Sequence, residues 1–169
     1  MLRNVIFFLG LSTILLVLAA CKKESATTDL RIHLTDNPFN ASEVNVDIRE
    51  VRVNFRDDST GWVSLATHAG VYNLLGFQNG VDTLIAQATV PTNTVKEIRF
   101  VLGGDNSIKI DSTVYPLTIP SGSESGLKIK VNKRLNATLD SLIIDFDAAL
   151  SIMQTGTGEY KLKPVLKIK

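Results

Sequence analysis

Residues 43–55 read EVNVDIREVRVNF, and this stretch decides the fold class. Apolar residues fill every second position of 44–48, which is the period of a strand with one buried face. The same spacing holds over 51–55, but with the opposite parity. Because a one-residue slip turns every side chain to the other face of a sheet, we expect a β-bulge at residues 49–50.

Alternating segments of the same kind recur along the rest of the chain, separated by turn-forming residues about every 8 to 12 positions. They amount to about nine or ten short strands, with no helix of useful length. This pattern predicts an all-β fold: an antiparallel, Greek-key-like β-sandwich of the immunoglobulin or transthyretin kind. Pro164 interrupts the last apolar run and predicts an edge or a bulge there, since proline cannot donate to a ladder.

The start of the chain has a different pattern: Arg3, an apolar run over 5–18, and the ending Leu18-Ala19-Ala20-Cys21. This ending resembles a bacterial lipobox. The resemblance implies transfer of diacylglycerol to the Cys21 sulfur, cleavage between Ala20 and Cys21, and an acyl chain such as palmitate on the new amino terminus. The alternative is an uncleaved membrane anchor, for which the apolar run is shorter than the ~20 residues of a span.

These boundaries predict a signal peptide (1–20), an acylated cysteine with a flexible tether (21–29) and one β-sandwich domain (30–169). Acyl chains contribute about 0.8 kcal/mol per buried methylene, so two or three would hold the protein on a membrane durably. Lys22, rather than an aspartate, follows the cysteine, and by analogy with known sorting rules this favours the outer membrane. Whether the domain faces the periplasm or the cell surface stays open.

Composition narrows the set of partners. The chain has 18 Lys and Arg against 17 Asp and Glu, and Arg3 is the only charged residue before Cys21, so cleavage would leave the charges balanced. A neutral domain argues against nucleic acid as a partner. Cys21 is the single cysteine of the chain, so its acylation would leave no thiol for a disulfide, a metal site or a nucleophile.

Asp145 and Asp147 are the acidic pair of most interest. At positions i and i+2 of a predicted strand, both carboxylates point to the same face. One interpretation is a calcium site, which would need four or more further oxygen ligands. Another is a structural pair that accepts hydrogen bonds from loop amides, and a third is a solvated sheet face. No other cofactor is expected.

Lysines form a second pattern, because they share one parity on each of two predicted strands. A basic stripe of this kind would suit anionic glycans or lipid phosphates. The alternative is edge protection, since lysine on an edge strand blocks pairing between sheets. The residues concerned are Lys128 and Lys130 on one strand, and Lys161, Lys163, Lys167 and Lys169 on the last one.

Four short motifs near predicted turns resemble the Asp-Ser/Thr acceptor of a periplasmic O-glycosylation system found in one Gram-negative phylum. The resemblance implies a glycan on the hydroxyl of each motif. The alternative is that aspartate followed by serine or threonine is an ordinary turn former. The candidate acceptors are Ser59, Thr83, Ser112 and Ser141.

Six short segments of the chain together form a recognisable pattern. They are 62–65 (WVSL), 72–75 (YNLL), 95–100 (VKEIRF), 119–122 (IPSG) with 126–129 (GLKI), 145–148 (DFDA) with Ser151, and 162–165 (LKPV). Together they resemble a family of bacterial lipoprotein domains catalogued as domain of unknown function 4382. The resemblance covers about residues 29–169 and implies a secreted, membrane-anchored β domain, but no catalytic residues.

The sequence therefore predicts a noncatalytic envelope lipoprotein that binds or scaffolds a ligand such as a glycan or an envelope protein. One alternative is a calcium-stabilised adhesion module on the cell surface. The other is an enzyme acting on envelope or extracellular polymers, for which Asp145 and Asp147 are the nearest approach to an acid–base pair. No third residue that would orient a substrate is visible beside them.

Overall fold

The computed structural model describes residues 26–37, 39–120 and 126–169. The predicted signal peptide, Cys21 and most of the predicted tether lie outside these ranges, as does most of the loop that follows Pro120. Fourteen strands occur in the described residues: β1 (Thr27–Thr35), β2 (Glu43–Asn54), β3 (Trp62–Ser64), β4 (Ala66–Thr67), β5 (Gly70–Asn73), β6 (Thr83–Pro91), β7 (Thr94–Leu102), β8 (Ser107–Ile110), β9 (Thr113–Thr118), β10 (Leu127–Arg134), β11 (Thr138–Phe146), β12 (Ile152–Gln154), β13 (Tyr160–Leu162) and β14 (Leu166–Ile168).

The strands form two sheets packed as a sandwich. The small sheet has five strands in the order β14-β11-β1-β6-β4. The large sheet has nine strands and follows the path β10-β7-β2-β8-β9-β13-β12, with β3 and β5 also paired to β2. A 3-10 turn (Leu74–Phe77) and a single-turn helix, α1 (Ala148–Ser151), complete the described secondary structure. The predicted all-β sandwich is confirmed.

Two features differ from the predicted pattern of about nine or ten antiparallel strands. β1 pairs with β11 in parallel, and β9 pairs with β13 in parallel, so both sheets are mixed. The strands are also more numerous, because β3, β4 and β12 to β14 have only two or three residues each. Strands of two or three residues are too short to show an alternating pattern, so they cannot be detected from the periodicity of the sequence.

The predicted bulge is confirmed. The register of β2 against β7 shifts between Ile48 and Glu50, where the apolar parity of the sequence changes. As a result Val44, Val46 and Ile48 before the bulge are fully buried, and so are Val51 and Val53 after it. Among the described residues, the core between the sheets also contains the largest fully buried side chains, including Phe100 and Phe146.

The chain enters the domain at one end of the sandwich. There the Ala26 carbonyl accepts a hydrogen bond from the Thr92 amide, and the Thr28 hydroxyl donates to the Asn136 carbonyl. Because β1 and β11 run in parallel, Thr35 and Asp145 are register partners at the opposite end. We call these the entry end and the far end. None of the helices in the described ranges has the length and apolar character of a membrane span.

Candidate ligand-binding face

The turn between β2 and β3 places Trp62, the single tryptophan of the chain. Asn54, fully buried at the end of β2, donates to the Asp58 carbonyl at 2.6 Å and accepts from the Arg56 amide at 2.9 Å. Gly61 packs so closely that an added Cβ would lie 2.3 Å from the Asn54 Oδ1. This turn therefore closes on the Asn54 amide, and the chain returns with Trp62 directly opposite Asn54.

Three basic residues occupy one transverse row of the large sheet. Lys128 on β10 is the register partner of Arg99 on β7, which is in turn the partner of Arg52 on β2. Directly opposed residues share a face, and the buried residues adjoining them, Ile98 and Val53, point the other way into the core. The three cations therefore lie on the outer face of the sheet, with about 4.8 Å between neighbouring strands.

Glu50 neutralises only part of this row. Its Oε2 lies 2.5 Å from the Arg52 Nη2, and its Oε1 accepts a hydrogen bond from the Ser64 hydroxyl at 2.6 Å. The hydrogen bond from Arg52 is the main reason that the pKa of Glu50 is lowered, and the same bond raises the pKa of Arg52. Arg99 and Lys128 form no ion pair with any side chain in the described part of the chain.

Trp62 on β3 reaches across β2 to two cations of the row, Arg99 and Lys128. The Arg99 guanidinium carbon lies 4.2 Å from the centre of the indole, and the Lys128 Nζ lies 5.9 Å from it. Both distances are within the range of cation–π attraction. Gly126, with a φ of 82°, packs on the Arg99 stem so closely that an added Cβ would come within 2.8 Å of its Cγ. The Arg99 side chain is thus bordered by Trp62 at its guanidinium and by Gly126 along its stem.

We call Trp62, Arg52, Arg99, Lys128 and Lys130 the basic face. Lys130 belongs to it because it follows Lys128 by two residues on β10, so both side chains point outward. Beside Lys130 lies a shallow cavity of about 180 Å³, whose lining includes Lys96 and Glu97. Glu97, the register partner of Lys130, lies on the same side of the sheet, so this surface combines four cations and an aromatic ring with the acidic groups Glu50 and Glu97.

The far end of the sandwich holds a separate group of buried polar side chains. Asp145 and Asp147, the pair predicted from the sequence, are both buried there. Asn37 donates from Nδ2 to the Asp145 Oδ2 at 2.7 Å and approaches the Asp147 Oδ2 at 3.5 Å. The Lys167 Nζ lies 2.7 Å from the Asp147 Oδ2, and the Lys169 Nζ lies 3.7 Å from the Asp145 Oδ2.

A third carboxylate, Asp36, joins this group, which we call the carboxylate cluster (Asp36, Asp145 and Asp147). Asp36 accepts hydrogen bonds from the Ala148 amide at 3.0 Å and from the Gln78 Nε2 at 3.2 Å. Burial raises the pKa of Asp36 despite these bonds, and the nearby Asp145 charge adds to the rise.

The pKa of Asp147 shifts in the opposite direction to that of Asp36. Its Oδ1 caps α1 by accepting from the Leu150 amide at 3.0 Å, and its Oδ2 is paired with Lys167. Burial by itself would raise the pKa of Asp147, but the bonds from Lys167 and Leu150 outweigh it, and the pKa is lowered. Within the cluster, only the Asp145 Oδ1 is buried without a hydrogen bond from the described residues.

The partners of these carboxylates bear on the predicted calcium site. Lysine ammonium groups, an asparagine amide and backbone amides occupy most of the oxygens that a calcium ion would need. In the ranges that the structure describes, no three His, Cys, Asp or Glu side chains have a spacing suited to a metal ion. The geometry therefore favours the structural interpretation of Asp145 and Asp147 over calcium binding.

We expect calcium to leave stability unchanged. A ligand present at a hundred times its dissociation constant adds about 2.7 kcal/mol, which would raise the melting temperature of a domain this size by about 5–10 °C. The measurement is thermal unfolding of the protein in 2 mM CaCl2 and in EDTA, with MgCl2 as the control. A rise of that size in calcium alone would contradict the expectation and revive the adhesion hypothesis.

The structure separates the lysines of the predicted stripe. Lys161 lies on β13 in the large sheet, whereas Lys167 lies on β14 in the small sheet, since the chain changes sheet around Pro164. Lys167 and Lys169 are engaged with the carboxylate cluster. β14 is an edge strand, as edge protection requires, but β13 lies between β9 and β12. Lys128 and Lys130 also remain together, on the basic face, and their strand β10 is an edge strand of the large sheet.

The four candidate glycosylation residues occupy different settings. Ser59 and Ser112 are exposed in turns, where an acceptor hydroxyl is accessible. Thr83 is half-buried at the start of β6, and Ser141 is exposed within β11. Next to Ser141, the buried Asp140 is held by Lys133 at 2.8 Å, so its carboxylate is part of the fold.

Sequence reasoning did not find Arg52, Arg99 and Trp62 as a group. Their assembly depends on how β2, β3, β7 and β10 pair, which alternation within each strand does not specify. The signal that could have found them is the alternation within each strand. Arg52 and Arg99 occupy polar positions of strongly alternating strands, so the pattern predicts that both side chains face outward. Sequence reasoning also did not find Asp36, because it directly follows β1 in a segment of turn-forming residues.

A comparison with protein-family models finds a match over residues 27–164 to the family described as Domain of unknown function (DUF4382). The match covers nearly all of the described residues and confirms the family resemblance of the sequence motifs. No curated protein and no solved structure gives a significant match to the chain.

Proposed function

The chain belongs to the DUF4382 family, and we propose that it is a noncatalytic binding module held at the bacterial envelope by a lipid on Cys21. The observation that carries the proposal is the basic face: a flat, outward-facing row of Arg52, Arg99 and Lys128 with Trp62 stacked on it. An outward-facing sheet surface with an aromatic ring and cations that lack an acidic partner can attract an anionic partner.

The length of chain before the domain limits how far the domain would lie from a lipid anchor on Cys21. β1 begins at Thr27, six residues after Cys21. Six extended residues span at most about 20 Å, so acyl chains on Cys21 would keep the entry end of the sandwich close to the membrane surface. Lys22 after the cysteine favours the outer membrane, and we propose that location.

The carboxylate cluster supports a noncatalytic role. An enzyme acting on polymers needs an acid and a base that reach the substrate. Asp145 and Asp147 are buried, and Asp147 is committed to capping α1 and to Lys167. The cluster holds β11, α1 and β14 together, which is a structural task.

Replacement of Cys21 tests the anchor. Cys21→Ala is expected to abolish incorporation of a palmitate analogue and to move the protein from the membrane fraction to the soluble or uncleaved pool, because the acylated sulfur is gone. Metabolic labelling and fractionation of cells measure both effects. Lys23→Gln, which changes the tether and leaves the lipobox intact, is the matched control. Processed, membrane-bound Cys21→Ala protein without label would contradict the proposal.

Protease shaving of intact cells distinguishes a domain on the cell surface from one in the periplasm. Cleavage of the domain without lysis would place it on the cell surface, where an adhesion role and external ligands remain open. Full protection would place it in the periplasm and exclude adhesion. A periplasmic reporter protein that stays intact serves as the control for lysis.

A further inference from the structure

The basic face departs from an ordinary rule of sheet construction. Like charges directly opposite each other on neighbouring strands oppose pairing. The large sheet nevertheless places Lys128, Arg99 and Arg52 in one transverse row, and Glu50 is paired with Arg52 alone. Places where a fold breaks a local rule are those where function is expected, since the cost must be offset elsewhere.

The row also contains hydrogen-bond donors that the fold does not satisfy. The Nε atoms of Arg52 and Arg99 are buried and make no hydrogen bond with the described residues. The rest of the Arg99 guanidinium is held against the indole of Trp62 rather than by a carboxylate. A ligand would not reach these buried Nε atoms, so it would contact the partly exposed remainder of the two guanidinium groups.

We infer that the basic face binds an acidic polysaccharide, whose carboxylates lie on Arg99 and Lys128 while a sugar ring packs against Trp62. This inference rests on the proposed binding function and names its ligand class. Charge complementarity requires an anion, and guanidinium groups bind carboxylates in a bidentate manner. The indole adds an apolar plane that suits the CH face of a pyranose ring.

The spread of the charges favours a polymer over a single small anion. Lys128, Arg99 and Arg52 extend across three strands, about 10 Å at the usual strand spacing. Lys130 extends the positive surface along β10 by two residues, about 7 Å. Lys130 lies opposite Glu97 and Arg52 is paired with Glu50, so a polymer would place its carboxylates on Arg99 and Lys128 first.

Binding is measured with the mature protein purified in detergent, so the result does not depend on whether Cys21 is acylated. The probes are polygalacturonate, its fully methyl-esterified form and inorganic polyphosphate. We expect polygalacturonate to bind. Its affinity should fall as the salt concentration rises, because salt screens the exposed charges. The methyl ester keeps the sugar chain and removes the charge, so its affinity should be at least about tenfold lower, given the strength of charge-assisted hydrogen bonds.

Two variants test the residues. Trp62→Leu and Lys128→Thr are each expected to weaken polygalacturonate binding at least about fivefold, the scale of one aromatic or charge-assisted contact. Lys128→Thr should leave the melting temperature unchanged or higher, because it removes one of three opposed cations. Lys161→Thr, the same change at an exposed position of β13, is the control and should bind within about twofold of the unchanged protein.

Several outcomes would overturn the inference. One is equal binding of polygalacturonate and its methyl ester. Another is unchanged binding by Trp62→Leu and Lys128→Thr when both melt like the unchanged protein. Polyphosphate that binds as tightly as polygalacturonate, to the unchanged protein and to Trp62→Leu alike, would indicate unspecific attraction of polyanions.

Discussion

Phe100→Ala is expected to lower the free energy of unfolding by about 3–5 kcal/mol, the largest effect we expect from a single substitution in this protein. The ring is 0% exposed, and it lies on β7, which is flanked by β10 and β2. Its register partners are Leu127 and Val51, so the removed atoms would leave a cavity between two sheets that cannot close fully. Such a loss is a large part of the 5–15 kcal/mol margin of a typical domain.

Urea unfolding followed by circular dichroism measures the change, with the m-value as a check on the extent of unfolding. Val114→Ala is the control, since Val114 is an apolar strand residue that is 61% exposed. Its change should stay within about 0.5 kcal/mol, as for most surface substitutions. A Phe100→Ala loss below about 1 kcal/mol at an unchanged m-value would contradict the position of this ring in the core.

The core could be predicted from the sequence because alternation is a local property. Residues two positions apart on a strand share a face, which is why Val44, Val46 and Ile48 all point inward. The alternation changes phase before Val51, and this change requires a bulge whichever strand is the partner. Turn-forming residues located most strand ends in the same way. These signals need no knowledge of which strands pair.

The carboxylate cluster and the basic face could not be predicted because each depends on pairing between distant strands. Asn37 and Asp145 are 108 residues apart, and the parallel pairing of β1 with β11 is what brings the segment around Asp36 to Asp145. Spacing within one strand identified only Asp145 and Asp147. Likewise, Arg52 and Arg99 become part of a candidate site only because the pairing of β2 with β7 places them opposite each other.

Asp36→Ala is expected to lower the free energy of unfolding by about 1–3 kcal/mol near pH 4, because one buried and one half-buried hydrogen-bond donor lose an acceptor. These donors are the Ala148 amide and the Gln78 side chain. Asp36→Asn is the matched variant. Its Oδ1 can still accept from the Ala148 amide, and a flipped Gln78 amide can accept from its Nδ2, so its cost at the same pH should be much smaller.

The pH dependence of Asp36→Asn follows from the direction of the pKa shift. Burial raises the pKa of Asp36, so the contribution of its carboxyl to stability is complete below the ordinary value of 3.8 and is lost as the pH rises through the raised pKa. Asparagine does not titrate. The stability of Asp36→Asn relative to the unchanged protein should therefore increase as the pH rises from 3.8 toward neutrality.

Asp147→Asn should show the opposite slope, although both residues belong to one cluster. The bonds from Lys167 and Leu150 lower the pKa of Asp147, so its contribution is complete above 3.8 and is lost as the pH falls through the lowered pKa. Asparagine can still cap α1 but cannot pair with Lys167, so the variant should be destabilised at neutral pH and approach the unchanged protein in acid. Urea unfolding of the three proteins between pH 3 and pH 7 measures both slopes. Slopes of the same sign for the two variants would contradict the arrangement in which Asp36 is desolvated while Asp147 is held by a lysine.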